Sequence, residues 1–300
     1  MPKKKLLSAC LALLACTAMA AEPKAKLPTV AELIKASSAA DWRAPAPVST
    51  LVMQLASGVV VIELARDFAP QHVANILQLT RAGYFDGLAI IRVQDNYVTQ
   101  WGDPEEDDAK ARPKPKDLPK AAPEFDRPLK GLKFTALPET DGWAPMEGFV
   151  DGWPVAANPK TGRAWLAHCY GMVGVARDAE PASGDGSGLY TVIGQAPRAL
   201  DLNIAKAGRV LQGMELLSAL PRGTGELGFY EKAEQRVPIL RVRVLADIPE
   251  TERPHLQVMR TDTALFQRVL DARRHRDGWY VQSPDRVELC SALPTVRPAP

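Results

Sequence analysis

The sequence predicts a mainly β fold, and three stretches carry that prediction. Residues 51–55 and 59–64 are apolar, β-branched runs separated by the turn residues Ser57 and Gly58, a pattern typical of a hairpin. Residues 86–104 repeat the pattern, because Asp86-Gly87, the polar turn 94–96 and Gly102-Asp103-Pro104 enclose two short runs of apolar and aromatic residues. Residues 239–244 alternate apolar side chains with arginines, as a half-exposed strand does.

The N-terminus has the pattern of a secretory signal peptide over residues 1–20. Three lysines at positions 3–5 precede an apolar stretch, residues 6–16, which is too short to span a bilayer, and Ala18-Met19-Ala20 forms a small-x-small cleavage site. Removing this segment takes the formal charge from +2 to −1, so charge does not indicate a nucleic-acid partner. The alternative is lipidation at Cys10 or Cys16, which would anchor the chain to a membrane.

Two cysteines, Cys169 and Cys290, follow the predicted cleavage site. In an exported protein they either form one disulfide or remain two buried thiols, and the sequence does not separate these alternatives.

The next residues, 21–46, are rich in alanine, proline and lysine and are predicted to be a linker or arm, with one short helix within residues 30–40. A second helix is predicted to start at Pro70, whose fixed φ suits the first helical position. Its apolar face follows the helical period, and Gly83 is expected to end it. The residues of that face are Val73, Ile76, Leu77 and Thr80.

Two further regions are predicted to be additions to the main domain. Residues 105–165 contain many prolines, which prevent long helices, and we expect an insertion that packs through Trp143, Trp153 and Trp165. Residues 249–300 are predicted to be a C-terminal appendage with a helix over residues 261–274. The expected apolar face of that helix is Leu265, Phe266, Val269 and Leu270.

A single cation, Arg92, lies among apolar residues of the second predicted hairpin. A buried unpaired charge is costly, so this arginine must meet a carboxylate, a carbonyl or a ligand. The alternative is an edge-strand arginine whose charged end reaches water.

The same stretch resembles the signature of the cyclophilin-type peptidyl-prolyl isomerases. The matching residues there are Phe85-Asp86-Gly87, Arg92-Val93, Tyr97, Gln100 and Gly102-Asp103-Pro104. Further matches follow in the family's order, at Gly171, Val175 and Ala176, at Leu200-Asp201, and at Gly208-Arg209-Val210 with Gly213-Met214-Glu215.

The resemblance implies a closed, eight-stranded antiparallel barrel capped by two helices, here over residues 47–248. It also implies site residues: Arg92 and Gln100 would be catalytic, Tyr97, Val98, Tyr190 and Leu200 would seat the proline ring, and Ala176 and Arg177 would contact the substrate. Some family positions differ. Gly188 replaces an amide donor, and Arg177 replaces an asparagine.

The predicted activity is therefore isomerisation of X–Pro bonds in exported proteins, and the alternative is a peptide-binding chaperone with little turnover. We predict proline-containing peptides or unfolded proteins as partners, no nucleic acid, no membrane span, a monomer and a periplasmic location. We predict no cofactor. No metal is expected either, since His72, His168, His255 and His275 lack the spacing of metal ligands.

Overall fold

A computed structural model describes residues 27–105, 109–276 and 279–300. The predicted signal peptide, residues 1–20, with both candidate lipidation cysteines, lies outside the described residues. The described chain forms four α-helices: α1 Val30–Lys35, α2 Pro70–Arg81, α3 Met214–Ser218 and α4 Ala264–Arg274. Its strands are β1 Trp42–Arg43, β2 Thr50–Leu55, β3 Gly58–Leu64, β4 Ala89–Val93, β5 Val98–Gly102, β6 Arg127–Pro128, β7 Thr135–Ala136, β8 Met146–Val150, β9 Trp153–Asn158, β10 Arg163–Leu166, β11 Met172–Val175, β12 Leu189–Val192, β13 Lys206–Gln212, β14 Val237–Val244, β15 Leu256–Met259 and β16 Val296–Pro298.

Eight strands close into an antiparallel barrel in the order β11-β12-β5-β4-β14-β2-β3-β13, with β13 pairing back onto β11. The predicted fold class is therefore confirmed. Both predicted hairpins form, as β2–β3 and β4–β5. The first has its two-residue turn at Ala56-Ser57, one position earlier than predicted, because Leu55 pairs with Gly58.

The two helices that the family resemblance implies lie against the barrel as α2 and α3, and α2 begins at Pro70 as expected. Val73, Ile76 and Leu79 of α2 are buried in the same cluster as the barrel residues Leu51 and Ile62. This packing supplies most of the helix's stability, since a helix of this length is marginal alone in water.

The insertion is more regular than the sequence indicates. Residues 127–166 form a five-stranded antiparallel sheet in the order β6-β10-β9-β8-β7. Trp153 and Trp165 are buried as expected, whereas Trp143 is 55% exposed. Four of the prolines, at positions 113, 115, 119 and 123, lie in the irregular segment before β6; within the sheet, Pro128 ends β6 and Pro154 is the second residue of β9. They therefore exclude long helices without excluding short strands.

The segment expected to be a linker or arm folds against the C-terminal appendage. Helix α1 packs on α4, and β1 joins β15 and β16 in a three-stranded sheet. In α4 all four predicted apolar residues are buried, and Thr263 caps its start by accepting a hydrogen bond from the Phe266 N–H. No helix in the described ranges has both the length and the hydropathy needed to cross a bilayer.

A disulfide joins Cys169, before β11, to Cys290 in the appendage. It ties the barrel to the C-terminal segment across 121 residues of chain. Because a cross-link over a long loop restricts the unfolded chain, we expect the Cys169→Ala/Cys290→Ala variant to lose about 2–4 kcal/mol of unfolding free energy. Urea denaturation monitored by tryptophan fluorescence measures this change. Dithiothreitol should destabilise the wild-type protein and leave the variant unaffected; equal stability of the two proteins without reductant would contradict the expectation.

Candidate active site

A row of four residues runs across neighbouring strands of the barrel. Tyr190 of β12 pairs with Gln100 of β5, Gln100 pairs with Arg92 of β4, and Arg92 bridges to Phe229 in the loop before β14. Directly paired residues of antiparallel strands project from the same face of a sheet. The row therefore places an aromatic ring, an amide, a guanidinium and a second ring along one surface.

An open cavity of about 520 Å³ lies over this row. It brings together all eight residues that the sequence analysis assigns to the site: Arg92, Tyr97, Val98, Gln100, Ala176, Arg177, Tyr190 and Leu200. The cavity is hereafter called the groove. Its size suits a short peptide segment, since ligand pockets commonly span about 300–1,000 Å³.

The Arg92 guanidinium lies in the groove, half-buried, and meets neutral acceptors. Its Nε donates to the Leu227 carbonyl at 2.7 Å, Nη1 donates to Gln100 Oε1 at 3.1 Å, and Nη2 donates to Gln94 Oε1. Within the described residues Arg92 forms no salt bridge. Burial lowers the pKa of Arg92 from its ordinary value, but an arginine stays charged at neutral pH.

Three of the five guanidinium N–H groups are used in this way, so one on Nη1 and one on Nη2 are left to donate to a ligand. A guanidinium cannot accept a hydrogen bond, and it therefore fixes the side-chain oxygen of Gln100 toward itself. The amide N–H groups of Gln100 are then available to a carbonyl oxygen in the groove.

The apolar part of the groove is formed by Tyr97, Val98, Tyr190 and Leu200. The Tyr97 ring lies 5.4 Å from Arg92 Cζ, so the apolar surface directly adjoins the cation. Tyr190 is buried and lies across Gly174, where a Cβ atom would be 2.2 Å from the tyrosine Cζ. Only glycine at position 174 leaves room for this ring.

The Tyr190 hydroxyl is held from beneath by His168, a contact that the sequence analysis missed. His168 Nε2 lies 2.9 Å from the hydroxyl, and Nδ1 lies 2.7 Å from Asp201 Oδ1. Burial and the nearby charge of Lys206 lower the pKa of His168 to about 4, so the ring is neutral at pH 7. Since Asp201 can only accept, Nδ1 carries the proton and Nε2 accepts from Tyr190. No local pattern around His168 indicates this role.

Asp201 is in turn part of a buried ion cluster around Arg198. The guanidinium of Arg198 contacts Asp201 Oδ2 at 3.2 Å, Glu147 Oε1 at 3.0 Å and, at closer range, Asp141. Burial and the neighbouring Asp141 raise the pKa of Glu147 to about 7. The cluster fixes the segment Ala196–Leu200, which carries the groove residue Leu200, against the insertion.

The buried His168 makes acid stability a testable property. The pKa of His168 is about 4 in the folded protein and 6.5 in the unfolded chain. Between pH 4 and 6.5 the histidine is therefore protonated in the unfolded chain but neutral in the folded protein. Relative to a His168→Gln variant, the wild-type protein should therefore lose up to roughly 3 kcal/mol of unfolding free energy as the pH falls from 6.5 to 4. Urea denaturation of both proteins at several pH values checks this. A difference between them that is independent of pH would contradict the assignment of a neutral, buried His168.

The far end of the groove contains Ala176 and Arg177. The Ala176 N–H donates to the Gly188 carbonyl at 2.9 Å, so this backbone amide is already used. Arg177 donates from Nε to the Asn203 carbonyl and from Nη1 to the Asp178 and Ala179 carbonyls. Its guanidinium thus holds the surrounding loops, and only Nη2 has no such role in these contacts.

The fold and the groove together define a β-barrel protein that can bind a peptide beside a guanidinium. Residues 50–244 match the family model "Cyclophilin type peptidyl-prolyl cis-trans isomerase/CLD". Over 191 residues the chain is 27% identical to a "Probable peptidyl-prolyl cis-trans isomerase" of Brucella suis biovar 1 (strain 1330), which covers 64% of this chain and 78% of that protein. The crystal structure of the cyclophilin AquaCyp293 from Hirschia baltica superposes with a TM-score of 0.68 at 26% identity and covers 85% of this chain and 92% of its own.

The chain belongs to the cyclophilin-type peptidyl-prolyl cis-trans isomerase family, since the model matches well over half of its length. Its enzyme class is accordingly that of a peptidyl-prolyl cis-trans isomerase, which acts on proline-containing peptides.

Proposed function

We propose that this protein isomerises X–Pro bonds of exported proteins in the periplasm, with Arg92 stabilising the twisted amide. Amide resonance imposes a barrier of about 18–20 kcal/mol, and uncatalysed X–Pro isomerisation takes tens to hundreds of seconds. At the top of the barrier resonance is lost, and the prolyl nitrogen gains a lone pair that can accept a hydrogen bond. A donor aimed at this nitrogen binds the twisted state better than either planar isomer, which is the requirement for catalysis.

The position of Arg92 is the observation that carries this proposal. Its guanidinium keeps two N–H groups free of the acceptors named above, and it is held in place by Leu227, Gln94 and Gln100. The side chains of Tyr97, Val98, Tyr190 and Leu200 offer an apolar surface beside it for the pyrrolidine ring. In this arrangement Gln100 would donate to a substrate carbonyl, and no covalent step or cofactor is needed.

A protease-coupled cis/trans assay on a proline tetrapeptide, with wild type and Arg92→Ala, tests the proposal directly. Turnover by the wild type that the substitution abolishes is the expected result. Equal rates with and without wild-type enzyme would overturn it.

A peptide-binding chaperone with little turnover is the second candidate, and the far end of the groove favours it. Gly188 offers no side-chain amide there, and Arg177 uses Nε and Nη1 on its own loops. Fewer hydrogen-bond donors are therefore available to a substrate backbone than in the family pattern. Suppression of the aggregation of an unfolded protein by Arg92→Ala as effectively as by wild type would support this candidate.

Export to the periplasm is supported by the leader pattern of residues 1–20 and by the Cys169–Cys290 disulfide, because disulfides persist in oxidising compartments. Lipid anchoring through Cys10 or Cys16 is the alternative. Fractionation of cells that express the full chain tests the location: recovery of the protein in the cytoplasm with free thiols would contradict export, and recovery with membranes would favour the anchor.

A further inference from the structure

The loop before β14, residues 221–230, forms one wall of the groove through two large apolar side chains. Leu227 is 59% exposed and Phe229 is 37% exposed, and both line the same cavity as Arg92. The Phe229 ring lies 5.2 Å from Arg92 Cζ. Neighbouring exposed apolar side chains inside a groove commonly contact a ligand.

Backbone contacts fix this loop on strand β4, so the wall is preformed. The Tyr230 N–H donates to the Ile91 carbonyl and the Gly223 N–H donates to the Val93 carbonyl, each at 2.9 Å. Gly228, with φ +80°, lies so close to the β4–β5 turn that a Cβ atom there would be 2.8 Å from Gln94. These contacts place Phe229 beside Arg92 before any substrate binds.

Leu227 adopts a backbone conformation that leucine rarely takes. Its φ of +53° lies in the left-handed region, which costs about 1 kcal/mol or more for a residue other than glycine. This conformation accompanies the hydrogen bond from Arg92 Nε to the Leu227 carbonyl and leaves the leucine side chain at the groove. Strain that the fold retains beside a reactive group is characteristic of functional sites.

The row of paired residues sets the distances along the groove. Neighbouring strands lie about 4.8 Å apart, so Phe229 is about 5 Å from Arg92 along the row and about 14 Å from Tyr190. An extended peptide advances about 3.3 Å per residue. A side chain that reaches Phe229 therefore belongs to an immediate neighbour of the substrate proline, on the side of Arg92 away from the proline seat.

We propose that Leu227 and Phe229 form a second apolar subsite, which binds a large apolar or aromatic side chain directly flanking the substrate proline. This inference rests on the proposed function and deepens it, because it names the class of X–Pro sequence that the protein prefers. The two rings at the ends of the row then contact the peptide on both sides of the X–Pro bond. Tyr190 contributes to the proline seat, and Phe229 contacts the residue next to the proline.

Two-dimensional NMR exchange spectroscopy on proline peptides tests this subsite with the full chain and without a coupling protease. One peptide series varies the residue before proline and another varies the residue after it, each with phenylalanine, leucine, glycine or aspartate. The wild-type protein should favour phenylalanine over glycine at one of these two positions by roughly 2- to 10-fold in kcat/KM, the range expected for one aromatic contact. Phe229→Ala should remove this preference, so that its kcat/KM values for the phenylalanine and glycine peptides become equal. Leu227→Gly, which removes the side chain and relieves the backbone, should weaken it.

Leu240→Ala is the matched control, because Leu240 is an apolar residue of β14 that is 54% exposed and does not line the groove. It should leave the phenylalanine preference unchanged. An equal phenylalanine preference in wild type and Phe229→Ala, or no preference at either position in the wild type, would overturn the subsite.

The failure of this inference is distinguishable from failure of the proposed function. If Arg92→Ala abolishes turnover while Phe229→Ala keeps the wild-type selectivity, the subsite is wrong and the isomerase mechanism stands. If the wild type turns over no peptide, the same two series are titrated and their dissociation constants are compared. A phenylalanine preference in binding that Phe229→Ala removes supports the subsite, and its absence overturns it.

Discussion

Replacing Arg92 with alanine should lower kcat/KM for a proline peptide by about 10²–10³-fold, the usual cost of removing one preorganised donor from a developing charge. In the proposed mechanism the donor acts on the prolyl nitrogen only when the amide twists, so the loss should appear mainly in kcat. Arg92→Lys should recover little, because an ammonium cannot contact Leu227, Gln94 and Gln100 simultaneously in the planar geometry of the guanidinium.

Arg241→Ala provides the matched control for this experiment. Arg241 is an exposed arginine on β14, outside the groove, so its loss should leave turnover unchanged. Arg92 is half-buried and bonded to neutral acceptors, and circular dichroism should report a folded variant. Full activity of Arg92→Ala would contradict the mechanism, whereas loss of folding would require the comparison of Arg92→Lys with wild type.

Replacing Arg198 with alanine should lower the unfolding free energy by about 3–5 kcal/mol, the cost of leaving buried charges without their partner. Arg198 is 4% exposed and contacts Asp141, Glu147 and Asp201, so its removal leaves three carboxyl groups without a compensating guanidinium. Chemical denaturation measures the loss. The effect should be smaller at pH 5 than at pH 8, because the pKa of Glu147 is raised to about 7 and a protonated Glu147 carries no uncompensated charge.

Arg260→Ala is the control for this second substitution. Arg260 pairs with Asp262 at the surface, where both side chains are about half exposed, and such pairs contribute about 1 kcal/mol or less. A cost for Arg198→Ala as small as that for Arg260→Ala would show that the buried cluster adds nothing to stability. Partial recovery in an Arg198→Ala/Glu147→Gln double variant would support the charge argument, because it removes one of the unpartnered carboxylates.

The local sequence pattern was sufficient to predict an element where its buried residues recur with the period of one strand or one helix. The β2–β3 and β4–β5 hairpins, the α2 start at Pro70 and the apolar face of α4 were all predicted from neighbouring residues. The five-stranded sheet of the insertion was not predicted, because its strands are short and two of them are only two residues long. In so short a strand, apolar and polar residues do not alternate often enough to show the period. Closure of the barrel came from the family resemblance and not from periodicity.

The eight predicted groove residues do lie around one cavity, although their individual roles stay predictions. What the sequence did not indicate are the contacts that hold them. His168 reaches Tyr190 only because β11 and β12 pair, and Leu227 meets Arg92 across 135 residues of chain. The same holds for Phe229, which has no periodic neighbours and is placed by its bridge to β4.

By itself, therefore, the sequence determined the strand-rich character of the chain, the barrel helix that starts at Pro70 and the residues that resemble the isomerase signature. The tertiary structure alone decided that Arg92 donates to neutral acceptors, that a neutral histidine contacts the groove residue Tyr190 and that an apolar loop forms one wall of the groove. The physical reason is the distance along the chain over which each feature is set. Hydrophobic periodicity depends on the geometry of one strand or helix. The hydrogen-bond partners of a buried polar group depend on which distant segments the closed barrel brings within about 3 Å of it.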